Sequence, residues 1–272
     1  MRVALGVEYD GSAYNGWQSQ PDGRTVQDVL QNALSSIASE KISIIAAGRT
    51  DTGVHGIEQV VHFDTHSNRP LTAWVRGANA LLPSGVAVLW AHEVDEEFHA
   101  RFSAQARSYR YNLFCRPVRS ALQQGKVGWF HQPLDIDKMQ EAAEFIRGEH
   151  DFSAFRASGC QAKSPVKNIS QIHIQRHDGL ISLDFTANAF LHHMVRNIVG
   201  CLVYVGKGKY SPEWMSLVLK GRQRSIAAPT FAPDGLYLRH IKYDAKWKLP
   251  QIQSQSIIPN CLHTDFVSKF ED

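Results

Sequence analysis

The chain runs through the same order of strand-like and helix-like segments twice, and few folds accept that order. Arg2–Tyr9 is an apolar run closed by Asp10-Gly11, which predicts a strand. Thr25 then opens a predicted helix, with Asp28 three residues on in a capping-box position. Val26, Val29, Leu30, Ala33, Leu34 and Ile37 follow at helical spacing. Ile42–Ala47 and Ile57–Phe63 read as strands. Pro70 starts a second helix with Leu71, Trp74, Val75 and Ala78 on one face, and Val86–Ala91 reads as a strand. The order β-α-β-β-α-β is the ferredoxin-like arrangement.

The second half repeats it. Ser108–Cys115 predicts a strand, and Asp137–Arg147 a helix with Met139, Ala142, Ala143 and Ile146 on its core face and Gly148 as its stop. Ile169–Gln175 and Ile181–Thr186 alternate as strands around an Asp178-Gly179 turn. Ala189–Val205 predicts a long helix with Phe190, Met194, Ile198 and Leu202 on one stripe. Pro212–Leu219 predicts a shorter helix and Leu236–Tyr243 a last strand. The topology repeats without a residue-level repeat. The expected organisation is an N-terminal α+β half over 1–105, a C-terminal α+β half over 106–247 and a tail over 248–272. The tail is Gln/Ser-rich at Gln251–Gln255 and has no period, so it is expected to be peripheral or partly disordered.

With 272 residues, 43% hydrophobic and 20% charged, the chain has ordinary globular composition and length enough for a core without a staple. Its cysteines, Cys115, Cys160, Cys201 and Cys261, form no C-x-x-C pair, which argues against a thiolate zinc site or a disulfide framework. The longest run free of polar residues, Ile198–Gly206, falls far short of the roughly 20 residues of a membrane span. The N-terminus meets Glu8 too early for a signal-peptide core. A cytoplasmic protein with no membrane contact is expected.

Lys plus Arg is 29 against 26 for Asp plus Glu, a net charge of +3 that decides nothing. The distribution says more. Phe98–Leu134, Phe152–His177 and Trp214–Pro233 hold no acid, yet carry Arg101, Arg107, Arg110, Arg156, Lys163 and Arg224 among others. Phe102, Tyr109, Tyr111, Phe152 and Phe155 are interleaved with them. Such windows suit a surface that follows a phosphate backbone. The plainer alternative is a set of solvated faces whose acids sit elsewhere in space.

The least ordinary stretch is Gly48-Arg49-Thr50-Asp51-Thr52-Gly53-Val54-His55-Gly56, between two predicted strands. Gly48 and Gly53 have P-loop spacing, but Val54-His55 stands where Lys-Ser/Thr is needed, and no helix follows. Asp51-Thr52-Gly53 spells an aspartic-protease tripeptide, but such enzymes pair two carboxylates and no second Asp-Thr/Ser-Gly occurs. A lone aspartate acting as nucleophile or base fits better, since cations such as Arg49 favour the charged form of a carboxylate. An aspartate that only caps a turn is the plain alternative.

AGRTDTGVHG resembles the catalytic motif of the TruA family of tRNA pseudouridine synthases. LGVEYDGSAYNGWQ, FHARFSAQARSYRY, AFLHHMVRNIVG and GLYL resemble further segments of that family in the same order, so that the likeness runs from about Val3 to Pro250. The resemblance makes Asp51 the catalytic aspartate and Arg49 the residue that helps evert the target base. It makes Tyr109 the tyrosine stacked on the uracil, Arg196 the ion-pair partner of the aspartate, and Leu236 the floor of the base pocket. It implies two ferredoxin-like halves joined into one mixed, mainly antiparallel sheet with a central catalytic cleft. It also implies conversion of uridine to pseudouridine at positions 38, 39 and 40 of the tRNA anticodon arm, by a homodimer without cofactor.

Physical chemistry fits those roles. A stacked base must be flipped out before a side chain reaches it, and an Arg fork can hold a carboxylate bidentately. No metal is expected: on a helix, adjacent His192 and His193 point about 100° apart and cannot chelate as an i, i+4 pair. The rival reading is an RNA-binding protein that keeps the basic windows and has no need of Asp51.

Overall fold

A computed structural model describes residues 1–177 and 179–250. Asp178 of the predicted Asp178-Gly179 turn lies outside the described residues, as do residues 251–272, which hold most of the predicted tail and Cys261. The first half contains β1 (Arg2–Tyr9), α1 (Val26–Ala38), β2 (Ile45–Ala46) and β3 (His55–Asp64). A π turn, Ala73–Gly77, then runs into α2 (Ala78–Leu81), followed by β4 (Val86–Val94). The second half contains β5 (Ala106–Cys115), β6 (Gly128–Phe130), α3 (Ile136–Glu144), β7 (Gly148–Asp151) and β8 (Val166–His177). It continues with β9 (Leu180–Ala187), α4 (Met194–Gly206), α5 (Trp214–Gly221) and β10 (Leu236–Lys242).

The ferredoxin-like order is present in each half. In the first, β1 lies between β4 and β3, antiparallel to both, and β2 pairs antiparallel with β3. In the second, β5 lies between β10 and β9, and β9 pairs with β8, again all antiparallel. The halves join into one sheet where β10 meets β3 in parallel, Tyr237 opposite His55 and Leu238 opposite Gly56. β2 uses the same edge of β3 further along, Ala46 opposite Val61. The residues leading into β3 therefore emerge at the seam.

Apolar burial drives the packing of both halves, each large buried side chain being worth about 1.5–3 kcal/mol. Leu30 and Leu34 of α1 pack with Val7, Trp17, Phe63 and Trp74 on one side of the first half. A larger cluster joins Leu113, Phe152, Phe155 and Phe185 to Met139 of α3 and Ile198 and Leu202 of α4. Thr25 caps α1 as predicted, its hydroxyl accepting from the Asp28 N–H.

Several elements depart from the sequence reading: β6 and β7 are strands it did not predict, and the helix predicted from Pro70 is in part a π turn. The strand predicted over Ile42–Ala47 shrinks to Ile45–Ala46, because the N–H groups of Ile42 and Ile44 donate to Ser35 Oγ and Gln31 Oε1 of α1 instead of to a ladder. α3 ends at Glu144, before the predicted Arg147. The helix predicted from Ala189 begins only at Met194. His193 before it is left-handed (φ 61°), which interrupts the helical path, so Phe190 leaves the predicted stripe.

Candidate active site

The Asp51 loop is held from the N-terminal segment. The Tyr9 hydroxyl hydrogen-bonds Thr50 Oγ1 at 2.8 Å, and the Trp17 N–H donates to Thr50 O at 3.0 Å. Gly16 has φ +83°, and a Cβ there would stand 2.8 Å from Thr50 O. Gly11 packs so closely that a Cβ would overlap Val54 O. From the other side Gln59 Nε2 donates to Gly48 O at 2.8 Å, and Arg107 donates to Ala47 O at 3.1 Å. Val54 N–H donates to Asp51 O at 3.1 Å and closes the turn that presents the carboxylate.

Three cationic or titratable groups face that carboxylate. Arg196, in the first turn of α4, donates from Nη1 to Asp51 Oδ2 at 3.0 Å. The contact is single and not the bidentate fork expected from sequence, because Arg196 Nε donates to Phe231 O at 2.9 Å. The side chains are 14% and 21% exposed, so the pair is largely withdrawn from water. His192 Nε2 lies 3.4 Å from Asp51 Oδ1, and His193 Nε2 3.4 Å from Oδ2. Burial above all lowers the His193 pKa, partly opposed by the Asp51 charge.

The premise of the sequence argument against a two-histidine site therefore fails. Neither histidine is on the helix, and both rings turn to one carboxylate. One donor atom each from Asp51, His192 and His193 lies within 4.8 Å of the others. A dication placed there would face the Arg196 guanidinium, which already occupies Oδ2.

Tyr109, on β5 opposite Leu238 of β10, is buried, and Phe190 meets its ring edge-to-face at 5.0 Å. Burial first, then the Asp51 charge, raises its pKa, so the phenol keeps its proton. Leu236 begins β10 and is buried. Arg49 is exposed and donates to Gln161 Oε1 at 3.1 Å, not to Asp51. All five residues singled out from sequence line one cleft of about 970 Å³ at the seam of the sheet.

Sequence reasoning gave no site role to His192, His193, Phe190 or Gln161. The first three stand in AFLHHMVRN, where a helical period hid them. The basic windows also resolve unevenly. Arg107 donates to the carbonyls of Ala47, Arg101, Ala104 and Asn188, and Arg110 is paired with Asp184. Arg156 and Arg224 are likewise spent on carbonyls and neighbouring side chains. Arg101, at the cleft, and Arg116, Arg119, Lys163 and Lys220 remain on the exposed surface.

The family model for tRNA pseudouridine synthase matches residues 6–103 and 142–244. The chain belongs to the tRNA pseudouridine synthase family. The matched stretches contain Arg49, Asp51, Arg196 and Leu236, while Tyr109 falls between them. The synthase is similar to tRNA pseudouridine synthase A of Nitrosomonas eutropha, 58% identical over 92% of this chain and 90% of that protein. It is 61% identical to that of Chromobacterium violaceum over 92% of this chain and 96% of that one, and 57% identical to that of Dechloromonas aromatica over 92% and 95%. It is thus an isomerase, since uridine and pseudouridine contain the same atoms. No helix among the described residues is long and apolar enough to cross a membrane.

Proposed function

We propose that this synthase converts uridine to pseudouridine at positions 38, 39 and 40 in the anticodon arm of tRNA, with Asp51 as the catalytic group. The observation that carries the reading is the Asp51–Arg196 contact of 3.0 Å inside a cleft that Tyr109 and Leu236 also line. A stacked uridine must leave the helix to reach such a carboxylate. Tyr109 then offers a ring on which the extruded base stacks, held square by Phe190. Leu236 closes the pocket below the base, and exposed Arg49 at the rim helps to evert it.

Asp51 drives cleavage of the N1–C1′ bond. Addition to ribose C1′, addition to uracil C6 and removal of the 2′ proton all require a charged carboxylate beside the nucleoside, and Arg196 supplies the counter-charge. The base turns, bonds C1′ through C5 and loses the C5 proton. Neighbouring uridines at three positions call for recognition by tRNA shape more than by base edges. Exposed Arg101, Arg119 and Lys163 are suited to the phosphates. The working unit is a homodimer in the cytoplasm, with the tRNA spanning both subunits.

The test is Asp51→Asn, which keeps the shape of the side chain and removes its charge. Unmodified tRNA should bind as to wild type while pseudouridine formation disappears. A wild-type chain that binds tRNA and forms no pseudouridine would instead favour the RNA-binding reading.

A further inference from the structure

The mechanism so far leaves one proton without a route and one side chain without a task. Each turnover breaks the C5–H bond, its electrons restoring the C5=C6 double bond, and each turnover places a proton on N1. Isomerisation is neutral overall, but the C5 proton has to leave a cleft that bound RNA covers. Asp51 Oδ2 faces Arg196 at 3.0 Å and His193 at 3.4 Å, whereas Oδ1 faces His192 Nε2 at 3.4 Å. The His192 side chain is 46% exposed, so one ring reaches from the carboxylate to water.

The His192 backbone is tied on both sides to the 157–160 segment. Its N–H donates to Cys160 Sγ at 3.4 Å, and its carbonyl accepts from Ala157 N–H at 3.1 Å. His193 is less suited to the task. Its side chain is 30% exposed and burial lowers its pKa, which keeps it neutral near pH 7. Its ring lies 4.0 Å from that of His192 and limits how far His192 can swing away. A separation of 3.4 Å is long for a proton transfer, and such contacts shorten when substrate closes a site.

We propose that His192 relays the C5 proton from Asp51 to solvent, which rests on the assignment of Asp51 as the catalytic group. The carboxylate takes the C5 proton, Oδ1 passes it to His192 Nε2, and the imidazolium releases the proton of Nδ1 to water; N1 takes its proton from water, and exchange of the exposed ring with water restores the Nδ1–H tautomer before the next turnover. Asp51 returns to its charged form and the ring to neutrality. The charged and titratable groups facing His192 are Asp51, His193 and, through Asp51, Arg196. The Cys160 thiol packs against its backbone.

The test compares wild type with His192→Gln and His192→Gly, with pseudouridine counted directly in tRNA. The relay predicts a fall in kcat of about 100-fold or more with KM for tRNA unchanged. It also predicts that added imidazole, which fits the space left by His192→Gly, restores kcat in proportion to its free-base form. Unchanged kcat in both variants overturns the relay. A rise in KM alone makes His192 a tRNA contact and overturns it, as does a kcat loss that imidazole leaves untouched. If wild type forms no pseudouridine, the assignment of Asp51 falls and the relay falls with it. An active wild type beside an unaffected or unrescued variant sinks the relay alone.

Discussion

Asp51 depends on one hydrogen bond from Arg196, whose Nε is committed to Phe231 O. Lysine has a single terminal donor group and cannot hold both oxygens in the guanidinium's plane. Arg196→Lys is therefore expected to cut kcat/KM about 100-fold, the usual cost of a misplacement of about 1 Å, with little change in thermal midpoint. The stacking proposed for Tyr109 needs only its ring, so Tyr109→Phe should keep most activity. Tyr109→Leu should lose about 1–3 kcal/mol of stacking, read as weaker binding of tRNA or lower kcat. The motif around Asp51 was legible because three glycines and an acid between strands have few structural uses. The single Arg contact and the approach of both histidines were not legible. Each depends on where α4 starts and on Phe231, 35 residues beyond Arg196.

Strands β1, β3, β5 and β8 to β10 were legible from alternation and turn residues, and α1 from its period and its Thr25 cap. The start of α4 was not, since Phe190 falls by accident on the helical stripe while His193 takes a left-handed backbone that no glycine announces. β2 was over-read because Ile42 and Ile44 look like strand residues, yet α1 side chains take their N–H groups. The Asp51 loop leans on Gly16, so Gly16→Ala should destabilise the protein by about 1–3 kcal/mol in urea unfolding and lower kcat with it. β3 also carries two histidines held neutral. His55 Nδ1 accepts from Gly11 N–H and His62 Nδ1 from Ala100 N–H, each at 3.1 Å. Burial, aided by the Arg2 charge, pushes the His62 pKa down to about 4, and burial lowers that of His55. The unfolded chain then binds more protons between pH 6.5 and 4, so stability holds above pH 6.5 and falls as pH drops through that window. His62→Asn, whose Oδ1 can accept from Ala100, should flatten this fall in a series of thermal midpoints against pH.

Across the whole molecule, two halves of one topology share a sheet through the short β3–β10 pairing, and the Asp51 loop enters at that seam. Asp51, the proposed catalytic group, comes from one half and its Arg, Tyr and His neighbours from the other. Neither half alone holds a complete site. Isolated halves should therefore be inactive even where they fold. The homodimer reading predicts a sedimentation mass of twice 30.5 kDa at working concentration, and a monomer would contradict it. The decisive measurement is tritium release from C5-labelled uridine in unmodified bulk tRNA, with wild type beside Asp51→Ala. Release by wild type only is the expected result and would put Asp51 at the centre of pseudouridine formation. Equal release by both proteins, or none by either with tRNA still bound, would contradict it and leave the Asp51 loop a structural turn.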